Sequence, residues 1–479
     1  MELFVGRKKE LESLEGLWHL RRACIVVIRG RRRVGKSRLA KEFANGKQFI
    51  EFTGLAPIHT TTAQDQRDTF ASQLGQNLKL PMIAFRDWSD AFFYLSHHIG
   101  KTPTVVLFDE ISWMGSQDPT FLSKLKAWWD LNYLQHPNLI LILCGSVSTW
   151  IEKNILKSTA FFGRISLTIN LEPLSLPECA LFLDKIGFKG SAYEIFKILS
   201  ILGGVPWYLE QINPNQMADT NIKHLCFKEA GLLVTEFDNI FHDLFNGLGY
   251  TYKKILHILA DGMKLLKEIR QKLGWKQGGN LSEIMRNLIT SDFVTPHYQW
   301  SFKTGNLGNQ SLYRLSDLYT RFYIKYIEPE RNRIQSKAYG DMEINQLPGW
   351  QTMMGFQLES LLLQNRPLLL KTLQINPADV VADNPYCQMP TSRQEGCQID
   401  YLIQTSMKNL FFCEFKFTLG DLGMEVIKAM RKKIERFSIP RGHAAIPVLF
   451  YLGDISEKVY DERYFYRMID ISEFLTFSK

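Results

Sequence analysis

The sequence has 479 residues, of which 45% are hydrophobic and 22% are charged, and it carries a formal net charge of +8 at pH 7. A chain of this size can bury more than one core, so we expect about three domains. Its seven cysteines include no C-x-x-C pair, which argues against a zinc ribbon and a disulfide framework and favours a reducing compartment.

No apolar run approaches the roughly eighteen residues that would span a bilayer, and the N-terminus carries charges instead of a signal-peptide core. We therefore expect a cytoplasmic protein with no membrane partner. The positive net charge is compatible with a polyanionic partner such as DNA, but a charge this modest is also that of an ordinary solvated surface.

The first predicted strand leads into a phosphate-binding loop. Residues 24–28 are an apolar run, and residues 30–37 read G-x-x-x-x-G-K-S. The glycines let successive N–H groups point at a β-phosphate, Lys36 neutralises the β and γ oxygens, and Ser37 can hold Mg²⁺. A helix that begins near Lys36 adds a positive N-terminal dipole. The pattern predicts an ATP site and disfavours a chance glycine turn; the residues are Gly30, Arg31, Arg32, Arg33, Val34, Gly35, Lys36, Ser37 and Arg38.

The next buried strands supply groups for hydrolysis. Residues 104–110 form an apolar run that ends in Asp109 and Glu110, and residues 139–144 form another that ends before Gly145 and Ser146. Asp109 would hold the Mg²⁺ shell, and Glu110 would orient or deprotonate the attacking water. Ser146 is a candidate sensor of the γ-phosphate. Ligands gather at the carboxyl ends of strands in α/β sheets, which favours this interpretation over an exposed Asp-Glu turn.

These motifs resemble the archaeal-type ATPases of the AAA+/STAND branch of P-loop proteins. Further matches lie at residues 4–7, 10–11, 162–164, 172–175 and 203–209. The resemblance implies that Gly6 and Arg7 lie near the adenine. It also implies that Arg164 reaches the γ-phosphate of its own or a neighbouring subunit, which leaves a homo-oligomer open. The alternative for Arg164 is a structural or solvated arginine.

Helical and strand periodicity divides the first two thirds of the chain. Strands and helices alternate to about residue 175, which predicts a P-loop ATPase core at residues 1–175, followed by a helical lid at residues 176–245. Predicted helices at residues 252–259, 265–273 and 280–289, with Gly278 and Gly279 before the last, precede two β-like stretches at residues 298–302 and 312–315. This is the order of a winged helix, placed at residues 246–335. Arg286 and Asn287 would read the major groove, with Lys303 on the wing; the alternative is a spacer between domains.

A polar segment at residues 331–350 indicates a domain boundary, and the last domain is placed at residues 350–479. There, strand patterns at residues 398–403 and 410–417 predict a hairpin. If the hairpin is symmetric about Met407, Asp400 lies directly opposite Glu414. Two like charges so placed favour a bound divalent cation, with Lys416 on the same face to position a water.

This spacing resembles the PD-(D/E)XK nucleases, whose restriction-endonuclease-like domain often follows archaeal-type ATPases. The resemblance implies that an acidic residue on a preceding helix, matched here by Glu359, completes the metal site. Ile399 stands where the motif name has proline. The alternative is that Glu414 and Lys416 lie on a solvated strand face.

The whole chain is therefore predicted to be an α/β P-loop AAA+-like ATPase with a helical lid, a winged helix and a restriction-endonuclease-like α/β domain. ATP and Mg²⁺ are the expected cofactors and DNA the expected partner, with the ATP state controlling metal-dependent DNA cleavage. The competing hypothesis is a regulatory switch whose C-terminal domain binds DNA or a partner protein without cleaving. A small-molecule P-loop kinase is disfavoured, because the Asp109-Glu110 pair is typical of hydrolases.

Overall fold

The computed structural model describes residues 3–476 except residues 59, 82, 134–135, 147, 246–248, 277–279, 338, 340–341, 391, 393–394 and 419. The chain divides into two compact units, residues 1–174 and residues 175–479. None of the described helices is long and apolar enough to cross a membrane.

A five-stranded parallel sheet forms the centre of the first unit. Its strands are β1 (Cys24–Arg29), β2 (Gln48–Thr53), β3 (Thr104–Asp109), β4 (Leu139–Gly145) and β5 (Ile165–Asn170). They are arranged in the order β2-β3-β4-β1-β5, and each pair is parallel. Every residue of β3 and β4 is buried, as expected for continuous apolar runs in a sheet covered on both faces.

Helices cover the two faces of this sheet. They are α1 (Lys8–His19), α2 (Lys36–Ala44), α3 (Ala63–Leu78), α4 (Trp88–Ile99), α5 (Ile111–Met114), α6 (Phe121–Asn132) and α7 (Ser148–Ile151). Val26 of β1 packs in one core with Phe43 of α2, and Val27 enters the opposite core with Phe70 of α3, because successive strand side chains alternate. Both cores contain side chains from the apolar runs of β1, β3 and β4.

The strand order brings three loops to one edge of the sheet. β4 lies between β1 and β3, with Gly145 beside Arg29 and Leu143 beside Phe108. Because these strands are parallel, the segments that follow β1, β3 and β4 leave the sheet at the same edge.

The second unit begins with helices α8 (Leu176–Lys185), α9 (Ala192–Leu202), α10 (Pro206–Leu209), α11 (Ala218–Cys226) and α12 (Leu232–Phe245). A capping box starts α8: the Ser175 N–H donates to the Glu178 carboxylate at 2.9 Å.

A small mixed segment follows. In the described part of residues 249–315 lie α13 (Gly249–Ala260), β6 (Lys264–Leu265), α14 (Leu266–Lys272), α15 (Leu281–Thr290), β7 (Val294–Trp300) and β8 (Leu307–Leu315). β8 lies between β6 and β7 in an antiparallel sheet. The helices lie close to their predicted ranges, whereas the hairpin starts at Val294, earlier than predicted. Gly278 and Gly279 lie outside the described residues.

The segment predicted to be a polar domain boundary is packed into the second unit. It runs among α16 (Leu318–Phe322), α17 (Arg331–Gln335), α18 (Trp350–Gln364) and α19 (Arg366–Thr372). Ile334, Ile344 and Trp350 are buried, and the Tyr326 hydroxyl donates to the Pro348 carbonyl at 3.0 Å. Scattered apolar residues anchor this segment, although its overall composition is polar.

A second five-stranded sheet ends the chain. Its strands are β9 (Val380–Gln388), β10 (Cys397–Thr405), β11 (Asn409–Phe417), β12 (Ala444–Leu452) and β13 (Arg467–Asp470), with α20 (Glu425–Arg436) and α21 (Glu457–Asp461). The order is β13-β12-β11-β10-β9. Tyr401 pairs with Cys413 and Leu402 with Phe412, a register symmetric about Met407, as predicted.

The β7–β8 hairpin packs against this sheet. Trp300 shares a core with Leu402 and Phe412, and its Nε1 donates to Gln404 Oε1 at 2.6 Å. The Gln404 side chain in turn donates to the Phe302 carbonyl at 2.8 Å. Burial of Trp300 therefore fixes this hairpin to β10.

His297 lies in the same contact between the hairpin and the sheet. It is 1% exposed, and its Nδ1 lies 3.4 Å from both Arg366 Nη2 and Asn384 Oδ1. Burial, with the positive charges of Arg314 and Arg366, holds the pKa of His297 well below its ordinary value. The folded protein therefore keeps this imidazole neutral at neutral pH.

We expect stability to fall as the pH drops below about 6.5, the ordinary histidine pKa. The unfolded chain then takes up a proton at His297 that the folded chain does not, which costs up to about 1.4 kcal/mol per pH unit. Urea unfolding at pH 7 and pH 5.5 measures this loss. It should be smaller in His297→Gln and unchanged in His19→Gln, an exposed control; equal losses in all three proteins would contradict the prediction.

Candidate functional sites

The phosphate loop connects β1 to α2 through two glycines with unusual backbone angles. Gly30 and Gly35 have φ angles of 149° and 94°, which L side chains rarely adopt. A Cβ at Gly30 would also collide with the Leu171 carbonyl. Glycine is therefore needed at both ends of the motif.

Lys36 lies across this loop at the start of α2. It is 6% exposed, and its Nζ donates to the carbonyls of Gly30 at 3.1 Å and Arg31 at 3.0 Å. These bonds orient the ammonium within the loop, as a phosphate-binding lysine requires. Of the other predicted loop residues, three are buried, Gly30, Arg31 and Val34, and the rest are partly exposed: Arg32, Arg33, Gly35, Ser37 and Arg38.

Ser37 and Asp109 meet across the intervening strand β4. The Ser37 hydroxyl donates to Asp109 Oδ2 at 2.5 Å. Asp109, at the end of β3, is 8% exposed. A hydroxyl oxygen and a carboxylate at this distance are ligands that Mg²⁺ accepts, so the two residues fit the expected metal.

Glu110 is held beside this pair by Ser146. Its backbone is left-handed, with a φ of 49°. The Ser146 N–H donates to Glu110 Oε2 at 3.1 Å, and the Ser146 hydroxyl lies 2.9 Å from Oε1 and 3.0 Å from Oε2. The residue predicted to sense phosphate therefore fixes the carboxylate predicted to act on water.

Two further residues named by the resemblance have defined partners. Arg7, which follows Gly6, donates from Nη2 to the Val34 carbonyl at 3.0 Å, so this segment contacts the phosphate loop. Arg164 makes a two-point ion pair with Asp130, with Nε and Nη2 at 2.8 and 2.9 Å from the carboxylate oxygens. In this conformation Arg164 has a structural partner on α6.

The predicted carboxylate pair lies at one end of the β10–β11 hairpin. Asp400 and Glu414 are 7% and 3% exposed, and the Phe415 N–H donates to Asp400 Oδ2 at 3.0 Å. The Lys416 ammonium lies 2.9 Å from Glu414 Oε1. Glu414 is buried, so the solvated-face alternative does not describe it.

A second lysine, which the sequence did not single out, completes this carboxylate cluster. The Lys433 ammonium, from α20, lies 3.5 Å from Asp400 Oδ1 and also contacts Glu414 Oε2. The cluster therefore contains two carboxyl groups and two ammonium groups. Lys433 lies three residues after the buried Met430, so helical periodicity places it near the buried face of α20. A lysine at such a position could have indicated from the sequence that a buried acid lies nearby.

The two carboxyl groups have different proton affinities. Burial and the neighbouring Glu414 raise the pKa of Asp400 to about 7. Burial acts in the same direction on Glu414, but the charges of Lys433 and Lys416 outweigh it and lower the pKa of Glu414. Near neutral pH the cluster therefore takes up its proton at Asp400.

Glu359 does not complete this cluster. It lies on α18, where its Oε2 accepts a hydrogen bond from Arg314 Nη2 at 3.0 Å. Arg314 is 4% exposed and needs such a counter-charge. Among the described residues, no three histidine, cysteine or acidic side chains are grouped so that they could hold a metal ion. The predicted three-carboxylate site is therefore not assembled here.

The predicted DNA-reading residues divide into two groups. Arg286 on α15 and Lys303 in the hairpin turn are exposed. Asn287 instead donates from Nδ2 to the Tyr252 hydroxyl at 2.8 Å. This bond links α15 to α13, and DNA reading by α15 stays a prediction.

Comparisons with known proteins agree with the first site. Residues 4–212 match the family described as an ATPase domain predominantly from Archaea. An uncharacterised protein of Methanocaldococcus jannaschii is 26% identical over 348 residues, which is 71% of this chain and 73% of that protein. An uncharacterised ATP-binding protein of the same organism is 48% identical over 47 residues, which is 10% of this chain and 80% of that protein.

Solved structures give weaker likenesses. The Walker-type ATPase of Pyrococcus abyssi is 18% identical, with 67% of this chain and 96% of that chain covered and a TM-score of 0.48. The Aeropyrum pernix ORC2 protein, in ADPNP–ADP complexes, is 14% identical, with 70% and 96% covered and a TM-score of 0.43. Both scores lie below 0.5, so the family assignment rests on the sequence match. This protein carries, at residues 4–212, an ATPase domain of the archaeal type.

Proposed function

We propose that this protein binds ATP with Mg²⁺ at the phosphate loop, hydrolyses it, and uses the nucleotide state to control its second unit. The observation that carries the proposal is the arrangement of four side chains at one sheet edge. Ser37 is bonded to Asp109, and the neighbouring Glu110 carboxylate is fixed by Ser146. These are the groups that phosphoryl transfer to water requires.

Each residue has a distinct role in this proposal. Lys36 neutralises the β and γ oxygens, while Ser37 and Asp109 hold the metal, which supplies charge neutralisation at the phosphates when it is bound. Glu110 orients the attacking water or accepts its proton. Ser146 keeps the Glu110 carboxylate in one orientation. Gly6 and Arg7 are proposed to lie near the adenine, supported by the bond from Arg7 to Val34.

A second candidate function is metal-dependent cleavage of DNA by the C-terminal sheet. It is favoured by the Asp400 and Glu414 carboxyl groups, which both contact the single Lys433 ammonium and thus form a place for a cation. Carboxylate oxygens are suitable ligands for Mg²⁺ or Mn²⁺. In this function Asp400 and Glu414 would hold the metal, and Lys416 would position the water. Glu359 would complete the site only after leaving Arg314.

The alternative for the second unit is a switch that binds DNA or a partner protein without cleaving. The internal charge balance of the carboxylate cluster supports it. We propose that α13–α15 with β6–β8 form a winged helix, whose exposed Arg286 is available to phosphates. The contact of Trp300 with the C-terminal sheet favours a spacer role for its hairpin.

Lys36→Ala should abolish ATP binding, because the β and γ oxygens lose their balancing charge at a buried position. Binding of a fluorescent ATP analogue and steady-state ATP hydrolysis measure the effect. Lys41→Ala, at an exposed lysine of the same helix, is the matched control and should behave as wild type. Unchanged affinity and turnover in a folded Lys36→Ala protein would remove this residue from the nucleotide site.

Glu110→Gln should keep ATP affinity but slow hydrolysis by about 10²- to 10⁴-fold, because the amide cannot accept the proton of water. Ser146→Ala should slow it less, by about tenfold, since the carboxylate remains but loses the hydroxyl that orients it. Single-turnover hydrolysis separates these effects from binding. Glu42→Gln, at an exposed glutamate, is the control; normal turnover in Glu110→Gln would assign the water to another residue.

Asp400→Asn should abolish Mg²⁺- or Mn²⁺-dependent cleavage of DNA and leave ATP hydrolysis unchanged, since the two sites lie in different units. Incubation of plasmid, linear and single-stranded DNA with each metal tests this. The control is Asp421→Asn, at an exposed aspartate of the same sheet domain. If the wild-type protein cleaves none of these substrates, the non-cleaving switch replaces the nuclease.

A further inference from the structure

Arg29 connects the phosphate loop to the segment that carries Ser146. It is the last residue of β1 and directly precedes Gly30, the first glycine of the loop. In the parallel pairing of β1 with β4, Arg29 lies beside Gly145, the residue before Ser146. The backbone of Arg29 is therefore next to the phosphate loop and to the start of the exit segment of β4, residues 145–152.

The side chain of Arg29 reaches the other end of this exit segment. Its Nη1 lies 3.3 Å from Glu152 Oε2, and both side chains are 25% exposed. Glu152 begins a π-helical turn, Glu152–Leu156, that directly follows α7. Such turns are rare and often lie at functional sites. Arg29 thus contacts the exit segment at both ends, through its backbone at Gly145 and its side chain at Glu152.

The exit segment lies against Glu110 between these two contacts. A Cβ placed on Gly145 would be 3.1 Å from Ile151 Cδ1 and 3.8 Å from Glu110 Oε2. Ile151 is fully buried in a core of the first unit. The Ser146 hydroxyl lies 2.9 Å from Glu110 Oε1. Because the segment is short and touches the Glu110 carboxylate, a displacement of its Glu152 end would also displace Ser146.

Glu152 has a second and more exposed partner. The Lys157 ammonium lies 2.5 Å from Glu152 Oε1, and the Lys157 side chain is 67% exposed. The hydrogen bond from Lys157 and the charges of Lys157 and Arg29 lower the pKa of Glu152, so its carboxylate is ionised at neutral pH. The two ion pairs differ in what they join. Lys157 directly follows the π-helical turn, whereas Arg29 lies on a strand 123 positions earlier in the chain.

We propose that Arg29 is a positioning residue for ATP hydrolysis. Its ion pair with Glu152 fixes the exit segment, and Ser146 in that segment then holds the Glu110 carboxylate toward the attacking water. This inference rests on the proposed ATPase function and adds a residue to it. Arg29 touches neither the water nor the reacting phosphate in this scheme. Loss of the pair should therefore affect the chemical step and leave ATP binding intact.

Single-turnover ATP hydrolysis and binding of a fluorescent ATP analogue, both measured on the full chain, test this proposal. Arg29→Gln should lower the hydrolysis rate about tenfold at unchanged ATP affinity, because a misplaced catalytic group costs rate and not binding. Arg29→Lys keeps the positive charge and should recover most of the rate. Lys157→Gln removes only the exposed partner of Glu152 and should behave as wild type.

A double-mutant cycle with Ser146→Ala distinguishes positioning from a general loss of stability. If Arg29 acts through Ser146, the protein with both Arg29→Gln and Ser146→Ala should hydrolyse ATP no more slowly than the slower single variant. If the two losses instead multiply, Arg29 does not act through Ser146 and the proposal is overturned.

A hydrolysis rate of Arg29→Gln equal to that of wild type would overturn this inference and leave the proposed ATPase function in place. Weaker ATP binding with an unchanged rate would also overturn it, since Arg29 would then be a phosphate ligand. If Arg29→Gln does not fold, Glu152→Gln removes the same ion pair from its other side and is judged by the same outcomes. Absence of ATP hydrolysis by wild type would overturn the proposed function and this inference together.

Discussion

Both candidate sites depend on one constraint: a charge taken out of water must be matched by hydrogen bonds or by an opposite charge. In the first unit Lys36 is matched by two carbonyls of its own loop. In the second unit Lys433 is matched by Asp400 and Glu414. Each of these two buried ammonium groups is therefore matched by partners within the folded chain.

The strand order of the parallel sheet assembles the candidate nucleotide site. Placing β4 between β1 and β3 brings the phosphate loop, Asp109 and Ser146 to one edge, although they are far apart in sequence. The Ser37 hydroxyl donates to Asp109, which links the phosphate loop to the end of β3. The Ser146 hydroxyl donates to Glu110, the residue after Asp109, which links the end of β4 to the same place. The family match over residues 4–212 agrees with this arrangement.

The second unit is held together by contacts that cross its predicted domain limits. Trp300 carries the β7–β8 hairpin into the core of the C-terminal sheet, and Arg314 of the same hairpin binds Glu359 of α18. A movement of the hairpin would therefore disturb the helix that carries the candidate third acid. The hairpin is thereby linked to both the C-terminal sheet and α18.

The sequence alone determined what depends on local spacing. Gly30 and Gly35 specify the loop backbone, the apolar runs of β1, β3 and β4 specify a buried parallel sheet, and the turn around Met407 specifies the hairpin register. Which residues far apart in the chain form ion pairs depends on the tertiary packing. The sequence does not show which buried charge a residue neutralises. For this reason Lys433 was not predicted as a partner of Asp400 and Glu414, and Glu359 was predicted at the metal although it pairs with Arg314. That choice follows from which helix covers which strand, and only the folded arrangement of α18, α20 and β8 provides it.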